Sequence, residues 1–313
     1  MSKKIISLAA GMAMIGGVAM SDTPKVAADI SPVHSLVSRV MLGVGTPDLI
    51  VQAGASPHGY TLRPSEAKAL QDAQMVFWMG ESLSPWMEGA LDTLSSDATI
   101  ITLLERDETI LMEFREGALF EEHDHDDHGD EKHDDHDDHG HDSYDPHAWL
   151  SPDNAKIWLN LIASQLSIVD PENAGTYFAN AAAARSEIEA LTTEVNSLLE
   201  PVRGKKFIVF HDAYQYFEKA FDLSASGAIS LGDASKPSPA RIAEIQGRIQ
   251  EESIDCVLSE PQFNKGLVAT VMAGSKAKTN VIDPLGVGLK PGPDLYSELI
   301  RNMTKTLVDC FES

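Results

Sequence analysis

With 313 residues, 43% of them hydrophobic, the chain is long enough for two lobes that each bury a core of their own. Its formal charge of -24 at neutral pH argues against nucleic acid as a partner, because so acidic a surface repels phosphates and draws cations instead. The charge is uneven: residues 121–142, EEHDHDDHGDEKHDDHDDHGHD, carry twelve acids against one lysine and seven of the eleven histidines, which leaves about -13 for the rest.

The first residues, MSKKIISLAAGMAMIGGVAM, place Lys3 and Lys4 before an uncharged apolar stretch rich in Gly and Ala. That is the layout of a secretory signal, expected over residues 1–21 with cleavage near Ala19 to Ser21. A transmembrane anchor is the competing reading, but a span needs roughly twenty strongly apolar residues. No Cys directly follows the run, so a bacterial lipoprotein anchor is not expected. Cys256 and Cys310 are the only cysteines; in an exported chain an even count favours one disulfide over two buried thiols. Such a bridge closes a loop of about 55 residues and contributes on the order of 4 kcal/mol in the chain-entropy model.

KVAADIS predicts a short strand, and PVHSLVSRVMLGVG a helix whose Val33, Leu36, Val37, Val40 and Met41 follow the 3.6 period. DLIVQAG is strand-like and runs into a loop, ASPHGYTLRPS. SEAKALQDA follows as a helix with Ser65 as its N-cap, then MVFWMG and TIITLLE as buried strands. Strands alternating with helices at this spacing predict a parallel sheet of βαβ units. After the acidic run, DPHAWLSPDNAKIWLNLIASQLSIVD turns helical, and PENAGTYFANAAAARSEIEALTTEVNSLLEPV predicts one helix of nearly thirty residues, about 40 Å long at 1.5 Å per residue. That exceeds what a lobe needs and suits a rigid connection between two. KKFIVF, LSASGAIS, CVLSEPQ and NVIDPLG then alternate as strands with further helices, the last being PDLYSELIRNMTKTLVDCF. The expected fold is therefore α/β, two lobes each with a mainly parallel β-sheet flanked by helices, joined by one long rigid helix. Its lobes span 22–170, including the acidic run, and 203–313, with the link at 171–202.

Four segments set a metal-capable side chain just after an apolar strand or at a helix boundary: SPHGY with His58, DPHAWLSP with His147, FIVFHDAY with His211 and VIDPLG with Asp283. Loops at the carboxyl ends of parallel strands are where α/β proteins bind ligands. Three neutral imidazoles with one oxygen ligand make a tetrahedral set suited to Zn²⁺. A lone histidine near a strand end is more often a hydrogen-bonded surface group, so the weight rests on the combination. His34 reads as structural, Trp149 as a wall of the site, Glu260 in LSEPQF as an acceptor that orients a ligand imidazole, and Arg63 as a brace for the first ligand loop.

GASPHGYTLRPSEAKALQDAQMVFWMG, DPHAWLSPDNA, FIVFHDAYQYF, LSEPQF and IDPLG together resemble the metal-binding cluster of solute-binding proteins of ABC importers, and within it the ZnuA zinc-uptake family. The resemblance runs from about Val26 to the end. It implies a periplasmic, non-enzymatic carrier, a two-lobed fold with a metal in the cleft, and a membrane permease as partner. His58, His147 and His211 match the family's three histidine ligands. Asp283 matches the acid that manganese-binding relatives use as a ligand, which leaves the fourth position between Asp283 and water, because some zinc relatives carry Glu where this chain has Pro57. Manganese relatives have Glu in place of His211, and imidazole there shifts preference toward Zn²⁺. Cys256 and Cys310 match the disulfide of Gram-negative zinc proteins. The His-rich run resembles the charged loop of the same proteins. Without apolar residues it cannot offset its ordering entropy, so it is expected to be disordered without metal and to gather zinc at many weak sites rather than one.

The rival from another class is a zinc hydrolase or hydratase, since three histidines and an open position also activate water. No HExxH motif or paired general base supports it. An adhesin is a third reading. The carrier reading adds three expectations: a monomer, a small closure around a stiff helix, and an affinity that falls as pH drops through about 6.5, where imidazole protonates.

Overall fold

The computed structural model describes residues 23–115, 120, 144–230, 237–263 and 265–312. The signal expected at 1–21 and the acidic run at 121–142 lie outside the described residues.

β1 (Val26–Ala28), β2 (Asp48–Leu49), β3 (Met75–Trp78) and β4 (Thr99–Thr102) pair in parallel in the order β2-β1-β3-β4. β1 and β3 are buried at every residue, as a sheet covered on both faces requires. α1 (Ser31–Val40), α2 (Pro64–Asp72) and α3 (Pro85–Leu94) are the crossovers. The second sheet repeats the topology: β5 (Phe207–His211), β6 (Ala228–Ser230), β7 (Cys256–Ser259) and β8 (Lys278–Val281), all parallel, in the order β6-β5-β7-β8. α6 (Gln215–Phe221), α7 (Pro239–Glu251) and α8 (Lys265–Val271) connect its strands, and α9 (Leu295–Glu312) closes the chain.

Two helices lie between the sheets in sequence. α4 (Pro152–Val169) starts on a Ser151 cap, whose hydroxyl accepts from Asn154 N at 3.2 Å, with Pro152 in the first turn. α5 (Ala174–Leu199) has 26 residues and turns of 3₁₀ helix at each end, Pro171–Asn173 and Glu200–Val202. Its buried stripe runs Tyr177, Ala181, Ala184, Ile188, Leu191, Val195, Leu199, in steps of three and four that keep one face inward. That face packs in one core with residues of both halves, from Val26 to Cys310.

The halves also touch directly. Tyr296 N on α9 donates to Ser35 Oγ on α1 at 3.0 Å. Arg39 of α1 pairs with Glu187 and Arg301 of α9 with Glu194, tying both helices to α5. Cys256 and Cys310 form a disulfide between β7 and α9. The two-sheet architecture with its long joining helix is thus the fold expected from the sequence.

Three local expectations need correction. α2 begins at Pro64, not after a Ser65 cap: the residue before it, Arg63, is the N-cap, and the Glu66 carboxylate accepts from Arg63 N at 2.7 Å. A proline is well placed at the first helical position because its missing N–H would have no helical partner there. α3 went unread between MVFWMG and TIITLLE, although Ser84-Pro85 is a start signal. DLIVQAG is a strand only over Asp48–Leu49, at the edge of the sheet, although Ile50 N and Val51 N still donate to Ala28 O and Asp29 O at 3.0 and 2.8 Å.

Candidate metal centre

The carboxyl ends of both sheets point toward a common cleft, and three imidazoles from distant parts of the chain meet there. His58 lies in the loop after β2, His147 caps the 3₁₀ turn Ala148–Leu150 ahead of α4, and His211 ends β5. One ring nitrogen from each lies within 4.8 Å of the others. Ring centroids are 5.4 Å apart for His58 and His147, 5.2 Å for His147 and His211, and 6.5 Å for His58 and His211.

Two of the rings are oriented by carboxylates. His147 Nδ1 lies 2.7 Å from Asp145 Oδ1, which also accepts from the His147 backbone N at 2.9 Å. His211 Nδ1 lies 2.6 Å from Glu260 Oε1. An ionised carboxylate only accepts, so each Nδ1 carries the proton and each Nε2 presents its lone pair to the cleft. The two Nε2 atoms are 3.3 Å apart. Two nitrogens at 2.0–2.1 Å from one tetrahedral zinc are separated by about 3.3 Å, so this donor set fits the ion.

The carboxylates are themselves held. Glu260 Oε2 accepts from Gln262 Nε2 at 2.8 Å, and Asp145 Oδ2 from Gln215 Nε2 at 3.3 Å. Tyr216, on α6, donates its hydroxyl to Asp145 O at 2.9 Å and accepts from Met112 N at 2.9 Å. Burial pushes the Asp145 carboxyl up to about 6, against its own hydrogen bonds and the Arg115 charge. Arg115, its guanidinium under the Phe120 ring, forms ion pairs with Asp212 and Glu218. Burial raises Asp212, while Arg115 opposes that rise. Trp149 lines the cavity beside the rings and donates its indole N–H to Pro284 O at 2.9 Å.

The cavity between the histidines measures about 10 Å³, room for a single ion or water. Asp283 stands outside the convergent set; its Oδ1 accepts from Leu285 N at 3.1 Å and Gly286 N at 2.9 Å, closing the turn after β8. Glu260 takes the orienting place read for it in the sequence. Arg63 braces the first loop chiefly through its backbone N–H, while its exposed guanidinium makes a longer ion pair of 3.9 Å to the same Glu66 carboxylate. His34 is buried with Nε2 3.0 Å from Pro47 O, a structural role. Asp145, Gln215 and Tyr216 went unread; the signal for Asp145 was a carboxylate two residues before a candidate ligand in a proline turn.

The family described as zinc-uptake complex component A, periplasmic (ZnuA), matches residues 26–310. The chain is 44% identical over 303 residues to the high-affinity zinc uptake system protein ZnuA of Brucella abortus strain 2308, covering 91% of each. It is 44% identical over 318 residues to the ZnuA of Paracoccus denitrificans strain Pd 1222, covering 97% of this chain and 96% of that one. A solved ZnuA crystal structure superposes with a TM-score of 0.75 at 22% identity, over 93% of this chain and all of that one, a likeness of fold. With a family match spanning both sheets and relatives this similar over nearly their whole length, the chain belongs to the ZnuA family of zinc-uptake components.

Proposed function

We propose that this chain captures Zn²⁺ in the periplasm, holding it in the cleft through His58, His147 and His211, and delivers it to the permease of an ABC importer without catalysing a reaction. The observation that carries this reading is the convergence of three imidazoles, two of them turned by carboxylates so that their Nε2 atoms face each other at a tetrahedral spacing. The fourth position falls to Asp283 or to water. On this reading residues 22–170 and 203–313 act as the two lobes, 171–202 as the link, and the protein works as a monomer. Among the described residues no helix is long and apolar enough to cross a membrane.

Cavity size separates this reading from a zinc hydrolase. Sites for organic ligands run to roughly 300–1,000 Å³, whereas the space among the histidines is about 10 Å³. A larger cavity of about 520 Å³ opens beside Gly80 and Thr102, lined by Glu81, Glu105 and Asp107, but none of the three histidines borders it. Manganese is the harder competitor: three nitrogen donors favour zinc over an ion that prefers oxygen. Because α1, α5 and α9 lock the halves together, binding and release involve local movement of the ligand loops rather than a wide hinge. The His-rich run 121–142 gathers zinc weakly and raises the concentration available to the cleft site.

Metal titration of the mature protein tests this directly. The expected result is one tight Zn²⁺ that survives deletion of 121–142, with weaker ions lost alongside the run. Alanine at 58, 147 and 211, each leaving the tightest affinity unchanged, would overturn the reading.

A further inference from the structure

His147 and His211 are fixed through their rings by buried carboxylates, and both sit against regular structure. His58 is only partly buried, in a loop of turns between β2 and α2. His58 N donates to Ser56 Oγ at 3.2 Å within the loop, and the grip from outside the loop falls on the carbonyl of the residue before His58. Pro57 O accepts from Trp86 Nε1 at 2.7 Å and from Ser84 Oγ at 3.1 Å. The Pro57 carbonyl and the His58 N–H share one rigid peptide plane, so two donors on that oxygen set the direction in which the His58 Cα leaves.

The start of α3 gives up an ordinary role to do this. Ser84 is the N-cap of α3, where a serine hydroxyl usually accepts from the second or third amide of the helix. Here it makes no cap bond and, fully buried, donates across 27 positions of sequence to Pro57. A local rule broken at a buried polar group marks a place where another requirement has won. The same loop is held further along: the Tyr60 ring lies 5.6 Å from the Trp86 ring, and Tyr60 donates to Glu66 Oε1 at 2.8 Å.

We propose that Trp86 and Ser84 are positioning residues for His58: by clamping the Pro57 carbonyl they aim this imidazole at the ion and set how fast the His58 arm lets go. The proposal rests on the zinc-binding reading above and assigns its release step to the arm that backbone hydrogen bonds hold, leaving His147 and His211 as the fixed half of the site.

The test uses the mature full chain with zinc and, for spectra, Co²⁺. Trp86→Phe keeps an aromatic ring and removes the N–H. It should weaken zinc about tenfold, the usual scale for losing an outer partner of a ligand, with most of the change in the dissociation rate. The Co²⁺ absorption spectrum should move toward that of His58→Ala, and in a His58→Ala background Trp86→Phe should add less than about twofold, because the two act through one arm. Ser84→Ala, which removes the second donor, should show the same pattern and serves if Trp86→Phe does not fold. Zinc affinity and dissociation within about twofold of the natural protein in the folded variants would overturn the proposal, as would an equal loss with and without His58. If His58→Ala itself leaves zinc binding unchanged, the metal-site reading falls and the proposal with it; if His58→Ala weakens zinc while the clamp variants do not, the proposal alone falls.

Discussion

The two sheets share one strand order, and in each the point where the winding reverses lies between the first and third strands, β1 and β3 in one half, β5 and β7 in the other. In the second half that point holds His211 facing Glu260. In the first half it holds Asp29, fully buried, whose Oδ1 accepts from Ile30 N and Oδ2 from Met79 N, both at 2.7 Å. A carboxylate facing an imidazole leaves a lone pair on the far nitrogen for an ion. One facing two amides is spent inside the protein. Equivalent topology therefore yields a fixed ligand in one half and a structural pin in the other, and the first half supplies its ligand from a loop instead.

The hardest test of that contrast removes the fixed ligand. His211→Ala should weaken zinc on the order of 10³-fold, since it takes away a donor and strips the buried Glu260 Oε1 of its imidazole partner. Competition against a chelator of known affinity measures it, and a loss under tenfold would mean the ion is held elsewhere.

On the other side of the comparison, burial raises Asp29 from 3.8 to about 7 against its backbone hydrogen bonds. The sign follows from linkage. Between about pH 4 and 7 the unfolded chain has lost this proton and the folded chain keeps it, so stability falls as pH rises through that window and levels off above it. The drop is on the order of 4 kcal/mol. Asp29→Asn should flatten this part of the stability curve in denaturant titrations of metal-free protein, while leaving zinc affinity near its natural value. An unchanged slope would show that Asp29 ionises freely in the fold.

Glu260→Gln probes the orienting carboxylate without emptying its space. A neutral amide accepts less strongly from His211 Nδ1, making the imidazole a poorer donor, and zinc should weaken by roughly 10- to 100-fold. Equal affinity in the two proteins would reduce Glu260 to a packing role.

Much of this was legible because parallel strands buried on both faces read as unbroken apolar runs, such as FIVF and MVFW, separated by helices. The three ligand candidates stood out because only four histidines lie outside the acidic run, three of them in loops or at boundaries. What stayed hidden depends on pairing across distance. Nothing in SPWMEGALDTL says that Ser84 and Trp86 reach Pro57, and nothing around DISPV says that Asp29 meets Met79 rather than an imidazole. Hydrogen-bond partners are chosen by tertiary geometry, whereas periodicity reports only which face is inward.

Asp283 should show the smallest effect, and the reason lies in its turn. One carboxylate oxygen already accepts from Leu285 and Gly286 N–H, and the group stands apart from the three imidazoles. Asn at this position keeps an oxygen for those amides and loses only the charge. If water completes the coordination, Asp283→Asn should change zinc affinity by less than about threefold, the residue of long-range attraction between an anion and the ion. If instead the second oxygen swings onto the metal, an anionic ligand is lost and the change should exceed about tenfold, accompanied by an altered Co²⁺ spectrum. Titrating both proteins at low and at high ionic strength separates the two cases, because screening weakens the long-range contribution and leaves a direct bond in place.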